Sequence, residues 1–175
     1  FVTNGKPDYQ NLIAQEAQRG HTVAIHSASH DYAKIYQSVD AYFADFDEMN
    51  SIITAQTGKA ADLVRFPGGS SNTISKKYCY GIMSQLVCAV EERGFRYCDW
   101  NVSSGDAGGT TSTSQVVANV IEGIKSNNVS VVLQHDIKNF SVDAVEQIIQ
   151  WGLSEGYTFL PMTSTTPMSH HGVNN

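Results

Sequence analysis

The sequence predicts an α/β fold with parallel strands, and three observations carry that prediction. Short apolar, β-branched runs alternate with amphipathic helical stretches along the chain. Capping residues, Gly and Pro separate one stretch from the next. The strand-like runs end in ionisable residues, where parallel α/β folds gather their active sites. Strands separated by helices pair in parallel, which leaves an α/β barrel or a doubly wound sheet.

Taken in order, Phe1-Val2-Thr3 reads as a strand end running into the Asn4-Gly5 turn. Asp8 to Arg19 carries Leu12, Ile13 and Ala17, and Gly20 can stop it. Thr22 to His26 is a short buried-type strand. Asp40 can cap a helix with Phe43, Phe46, Met49, Ile52 and Ile53 on its apolar face and Gly58 at its end. Asp62 to Phe66 is the next strand, broken by Pro67-Gly68-Gly69. Ser75 to Arg93 reads as a helix with Ile82, Leu86 and Val90 four apart, and Arg96 to Trp100 as a strand. A Ser, Gly and Thr loop over Ser103 to Thr113 precedes a helix capped by Ser114. Val129 to Leu133 is the clearest strand. Ser141 caps the last helix, Tyr157 to Leu160 reads as a final strand, and Thr163 to Asn175 as a polar tail.

Composition bounds the function. The chain has 175 residues, 41% hydrophobic and 16% charged, enough for one domain with a core that needs no disulfide staples. Its formal charge of -6 leaves no electrostatic footprint for nucleic acid or anionic lipid, and a neutral or cationic substrate suits it better. No apolar run approaches the ~20 residues of a membrane span, and there is no signal peptide. Phe1 is not a natural start, so we expect a longer chain, with at least one strand before Phe1 to close a barrel. Missing targeting signals then say nothing of location. Cys79, Cys88 and Cys98 allow at most one bridge, and buried free thiols are expected.

The chemistry concentrates at strand ends. His26 and His30 stand at i and i+4, a spacing that on one face of a helical turn lets two imidazoles share a metal. Zinc also wants a third protein ligand and an open position. Arg65-Phe66-Pro67-Gly68-Gly69 sets a permanent cation beside backbone exposed enough to donate N–H groups to an oxyanion. His135 follows the apolar Val131-Val132-Leu133, placed for proton transfer, and Asp99 could orient it and hold it protonated. Trp100 is either core or binding surface. Asp31 and Asp136 adjoin motif histidines as ligands or as surface residues. His21 reads as solvated, and His170 and His171 as part of a disordered tail.

These residues resemble the NodB-type polysaccharide deacetylases, carbohydrate esterase family 4. The similarity runs from Phe1 to about Met162. Gly20 to His30 resembles the family's second motif, which binds metal, and Arg65 to Gly69 the third. Asp99-Trp100-Asn101 resembles the fourth motif and Leu133-Gln134-His135 the fifth. The resemblance implies an irregular (β/α) barrel over 1–162, incomplete at its N-terminus, followed by the tail at 163–175. It implies that His26 and His30 bind a divalent metal, usually zinc, and that Arg65 orients a catalytic aspartate. Gly68 would offer its N–H to the oxyanion. His135 would act as general acid tuned by Asp99, while Leu133 and Trp100 would line the acetyl pocket and groove. The family's first motif, a Thr-Phe-Asp-Asp type segment, carries the base and the third metal ligand. No Asp-Asp pair occurs in this chain, so that aspartate is expected upstream.

The implied reaction removes N-acetyl groups from an N-acetylglucosamine polysaccharide. The stretches Arg65 to Asn72 and Asp99 to Asp106 look like those of bacterial peptidoglycan deacetylases. Chitin-type oligosaccharides come next, then acetylated xylan. A peptidoglycan enzyme would be extracellular or at the cell surface of a bacterium, with its signal or anchor upstream. Two rivals stand beside this reading. One is a catalytically inactive glycan-binding domain, prompted by the absent Asp-Asp. The other is an unrelated metal-dependent barrel hydrolase taking its third ligand from Asp31 or Asp136.

Overall fold

The computed structural model describes residues 1–175, which fall into two compact units. The first comprises Phe1–Asp99 and Pro161–Asn175, the second Trp100–Leu160.

The first unit is built on four parallel strands in the order β1 (Val2–Thr3), β2 (Ile25–Ser27), β3 (Leu63–Val64) and β4 (Arg96–Tyr97). Their register aligns Ile25 with Val64 and Val64 with Tyr97, so one layer of side chains crosses the sheet. Four helices accompany them: α1 (Asn11–Gln18), α2 (Tyr32–Ile35), α3 (Val39–Thr57) and α4 (Ile82–Glu92). Ile25, Ile35, Phe46, Met49, Val64, Phe66, Met83 and Leu86 are almost wholly buried in the core between them. The second unit pairs β5 (Val102–Ser103) with β6 (Val132–Leu133) in parallel, Ser103 facing Leu133. There α5 (Thr113–Lys125) packs Val116, Val120 and Ile124 against Ala144 and Ile148 of α6 (Asn139–Ser154).

The parallel α/β class holds, while several boundaries move for local reasons. Ser38, not Asp40, caps α3, its hydroxyl accepting from the Ala41 N–H at 3.0 Å. Gly58 ends that helix in the left-handed conformation, as its position predicts. Ser112, not Ser114, caps α5. Ser141 lies inside α6 and turns its hydroxyl to Asp106. The stretch read as one helix from Ser75 divides into a 3-10 turn, Ile74–Lys77, and α4. Cys79 therefore sits outside the helix, Cys88 is exposed rather than buried, Cys98 is buried, and all three thiols are free.

Tyr157 to Leu160 forms no strand. The Tyr157 N–H instead bonds back to the Gly152 carbonyl at 2.8 Å, closing α6 through Gly156 at φ 83°. The C-terminal residues are not a loose tail. The Ser169 carbonyl accepts the Asp99 N–H at 2.7 Å, and the His170 ring stacks on Tyr97 with centroids 3.9 Å apart. Asn175 is buried, accepting from the Gly81 N–H and donating to Ser75 Oγ, both at 2.8 Å.

Candidate functional site

In the first unit the site grows from the β2–β3 register. Pairing Ile25 with Val64 brings the Arg65 carbonyl to the His26 ring, 2.7 Å from Nδ1. A carbonyl only accepts, so Nδ1 carries the proton and Nε2 keeps its lone pair. Burial pulls the His26 pKa down to about 3 against the lift from that carbonyl, and the nearby charges of His30 and Arg65 lower it further. The imidazole is therefore neutral at ordinary pH, as a metal ligand must be.

His30 lies in the turn before α2, not one helical turn from His26 as the spacing suggested. It is the one non-glycine residue with positive φ, 52°. The two ring centroids are nevertheless 5.1 Å apart. Asp45 of α3 holds this arrangement. Its carboxylate accepts from Ser27 Oγ at 2.5 Å, the Ala28 N–H at 2.8 Å and the Ser29 N–H at 2.9 Å. Ser27 Oγ in turn accepts the His30 N–H at 2.9 Å. Burial pushes the Asp45 carboxyl up, but these hydrogen bonds outweigh it and hold the group below the usual carboxylate range. Sequence reasoning missed Asp45. Its signal was an acid inside the apolar stripe of Tyr42, Phe46 and Met49.

Two imidazoles fit a zinc ion, while no cluster of three His, Cys, Asp or Glu side chains forms anywhere in the chain. A catalytic zinc takes three protein ligands, and this pair could supply two of them. Asp31, weighed as a third, caps α2 by accepting the Ala33 N–H at 2.9 Å, and Asp136 is exposed.

Arg65 is buried at the end of β3. Its Nε donates to the Cys98 carbonyl at 3.0 Å and its Nη2 to that of Asp99 at 2.9 Å, and its guanidinium lies over the Phe1 ring. Beyond it Pro67 and Gly68 form a tight turn closed by Gly69 N–H to Phe66 O at 2.8 Å. Gly68 has φ 79°, and a Cβ there would come within 2.6 Å of the Tyr32 hydroxyl, so only glycine fits. Its N–H bonds to no group of the protein.

Asp99 does not orient His135. It is fully buried, and its carboxylate accepts from the Ser70 N–H at 2.8 Å, Ser70 Oγ at 2.5 Å and the His171 N–H at 2.9 Å. Its work is to fix the Gly68–Ser70 loop. In the second unit His135 is held by Asp106. Asp106 Oδ1 lies 2.8 Å from His135 Nδ1, while Oδ2 accepts the His135 N–H at 2.7 Å and Ser141 Oγ at 2.6 Å. Burial raises the Asp106 carboxyl, but bonds from Ser141, His135 and Ser104 outweigh it and keep it below its ordinary range. The imidazole is thereby aimed, Nδ1 inward and Nε2 outward, with the side chain 37% exposed. The sequence signal was present: Asp106 is the only acid between Asp99 and Glu122. Leu133 closes β6 and Trp100 opens this unit, both half-buried.

The class these observations define is a parallel α/β protein with a histidine pair in one unit and a carboxylate-held histidine in the other. Comparison with known proteins makes the assignment specific. The family model for polysaccharide deacetylase matches residues 1–80. The catalytic domain of peptidoglycan N-acetylglucosamine deacetylase from Eubacterium rectale is 70% identical, with a TM-score of 0.99 over 100% of this chain and 80% of that one. The chain belongs to the polysaccharide deacetylase family. A Bacillus cereus polysaccharide deacetylase structure is 28% identical at TM-score 0.78, covering 94% of this chain and 77% of that one. A peptidoglycan-N-acetylglucosamine deacetylase of the same organism is 29% identical over 87% of this chain and 54% of its own length. The chain spans about half the length of the curated relatives it matches.

Proposed function

We propose that this domain is a zinc-dependent N-acetylglucosamine deacetylase acting on peptidoglycan outside the bacterial cytoplasmic membrane. The observation that carries the proposal is the His26–His30 pair, with His26 held neutral and its Nε2 lone pair unused. The similarity to peptidoglycan deacetylases supports the choice of glycan. No helix is long and apolar enough to cross a membrane.

His26 and His30 would hold the ion, with the third ligand and the base supplied by aspartates outside these 175 residues. A divalent cation bound there supplies Lewis acidity toward water and the acetyl oxygen. Arg65 positions the ends of β3 and β4, and in this reading orients the base. The Gly68 N–H, turned to no protein acceptor, donates to the oxyanion. Leu133 and Trp100 would line the acetyl pocket, the role that the family resemblance implies for them. His135 Nε2 delivers a proton to the departing sugar nitrogen, and Asp106 stabilises the imidazolium that makes this possible. Acetate and a free amine leave.

The test is acetate release from N-acetylated peptidoglycan by the full-length protein, with zinc content measured in parallel. His26→Ala is expected to lower zinc affinity more than about a hundredfold, beyond the loss typical of an outer-shell partner. Zinc content indifferent to that change would sink the ligand assignment. Glycan binding without acetate release would move the domain to the non-catalytic binding reading.

A further inference from the structure

The segment that follows the Pro67–Gly69 turn carries a surface that neither the histidine pair nor the acid–base pair uses. Asn72 ties it to that turn, its amide donating to the Gly69 carbonyl at 3.2 Å and its Oδ1 accepting the Ser75 N–H at 2.9 Å. Ser75 is fully buried, and the Asn175 amide reaches its Oγ. The 3-10 turn Ile74–Lys77 is therefore pinned from within. Its outer side presents Ile74, Lys76, Lys77, Tyr78 and, just beyond, Tyr80, which is 86% exposed. Lys76-Lys77 is the only adjacent pair of lysine or arginine residues in a chain of charge -6, and neither lysine makes an ion pair. Solvated lysines are ordinary. Two tyrosines and an isoleucine left exposed around them, on a turn with its inner side anchored, are a cluster that calls for a ligand.

We propose that Ile74–Tyr80 is a docking surface for a glycan bearing carboxylates, held beside the turn that carries Gly68; this rests on the deacetylase reading above. Charge selects the occupant. An acidic domain repels an anionic polymer over most of its surface, so two unpaired cations mark where such a strand can lie. Each phenol offers a flat apolar face to the C–H side of a pyranose and a polar edge to its hydroxyls. Lysine ammonium groups on flexible stems suit carboxylates whose positions vary, as on the peptide substituents of peptidoglycan. A neutral chitin-like glycan would engage the tyrosines and leave the lysines unused.

The test is calorimetric titration of this chain with three probes: peptide-bearing peptidoglycan oligosaccharides, the same oligosaccharides stripped of peptide, and chitopentaose. The native chain is expected to prefer the peptide-bearing probe, and added salt to narrow the preference. Lys76→Gln with Lys77→Gln should cut that preference about fivefold, the order of two exposed charge contacts. Tyr80→Ala should weaken all three probes together. An unchanged preference in the double variant, or a native preference for the neutral glycans, overturns the docking surface and leaves the deacetylase reading standing. Binding to none of the probes likewise overturns the docking surface, while acetate release by the full-length protein decides the deacetylase reading separately.

Discussion

The two units each fix one imidazole through Nδ1, and the partner they use sets what the ring can do. In the first, His26 gives its Nδ1 proton to the Arg65 carbonyl, and burial keeps the ring neutral. In the second, His135 faces the carboxylate of Asp106 and stays partly open to solvent. A neutral acceptor leaves a lone pair for a metal. An anionic one fixes the ring's tautomer and orientation, and so suits it to pass a proton at its other nitrogen. Identical side chains thus diverge through one acceptor atom each, and neither acceptor adjoins its histidine in sequence.

Removing the anionic acceptor is the strongest way to break this contrast. Asp106→Asn should lower turnover by about a thousandfold, the scale of losing an orienting carboxylate in an acid–base pair, with zinc content unchanged. Zinc lost in step with turnover would mean that the units do not divide the work. Asp45→Ala comes second. It strands three hydrogen-bond donors in the first unit and should destabilise the protein by about 3 kcal/mol in urea titrations. Zinc affinity should fall with it, because the His30 turn loses its anchor.

A third test separates the two environments by pH, one small step per pH unit. His26 titrates near 6.5 when unfolded and near 3 when folded. Between those values the unfolded chain binds a proton that the folded one refuses. Stability is therefore complete above about pH 6.5 and declines on acidification, by at most ~1.4 kcal/mol per pH unit. Asp45 and Asp106 are depressed, so their contributions persist until the pH falls below the ordinary carboxylate value of about 4. His26→Gln should flatten the slope between pH 6.5 and 4 and leave the steeper fall below it. A slope unaltered by the substitution would place the refused proton elsewhere.

What could be read from the sequence was local. Strand ends at His26, Arg65 and His135 announce themselves by an apolar run followed by a polar residue, and Pro67-Gly68-Gly69 by its turn chemistry. The partners are not local. Asp45 reaches back 17 residues to Ala28, and Asp106 forward 29 to His135. Nothing in a single acid on a helix or in a Gly-rich loop specifies such a contact. Asp99 misled for the same reason: it sits at a strand end beside Trp100, yet its carboxylate turns to Ser70 and His171. The C-terminal residues looked loose because their bonds reach residues about 70 to 100 positions earlier.

One consequence follows from the backbone at His30. A φ of 52° is comfortable for glycine and costs another residue roughly 1–2 kcal/mol. The chain keeps an imidazole there all the same, and braces it with a serine and a buried acid one helix away. Such a position is over-determined: relaxing it would ease the main chain and forfeit the ring. The local conformation is thus subordinate to what the side chain must reach.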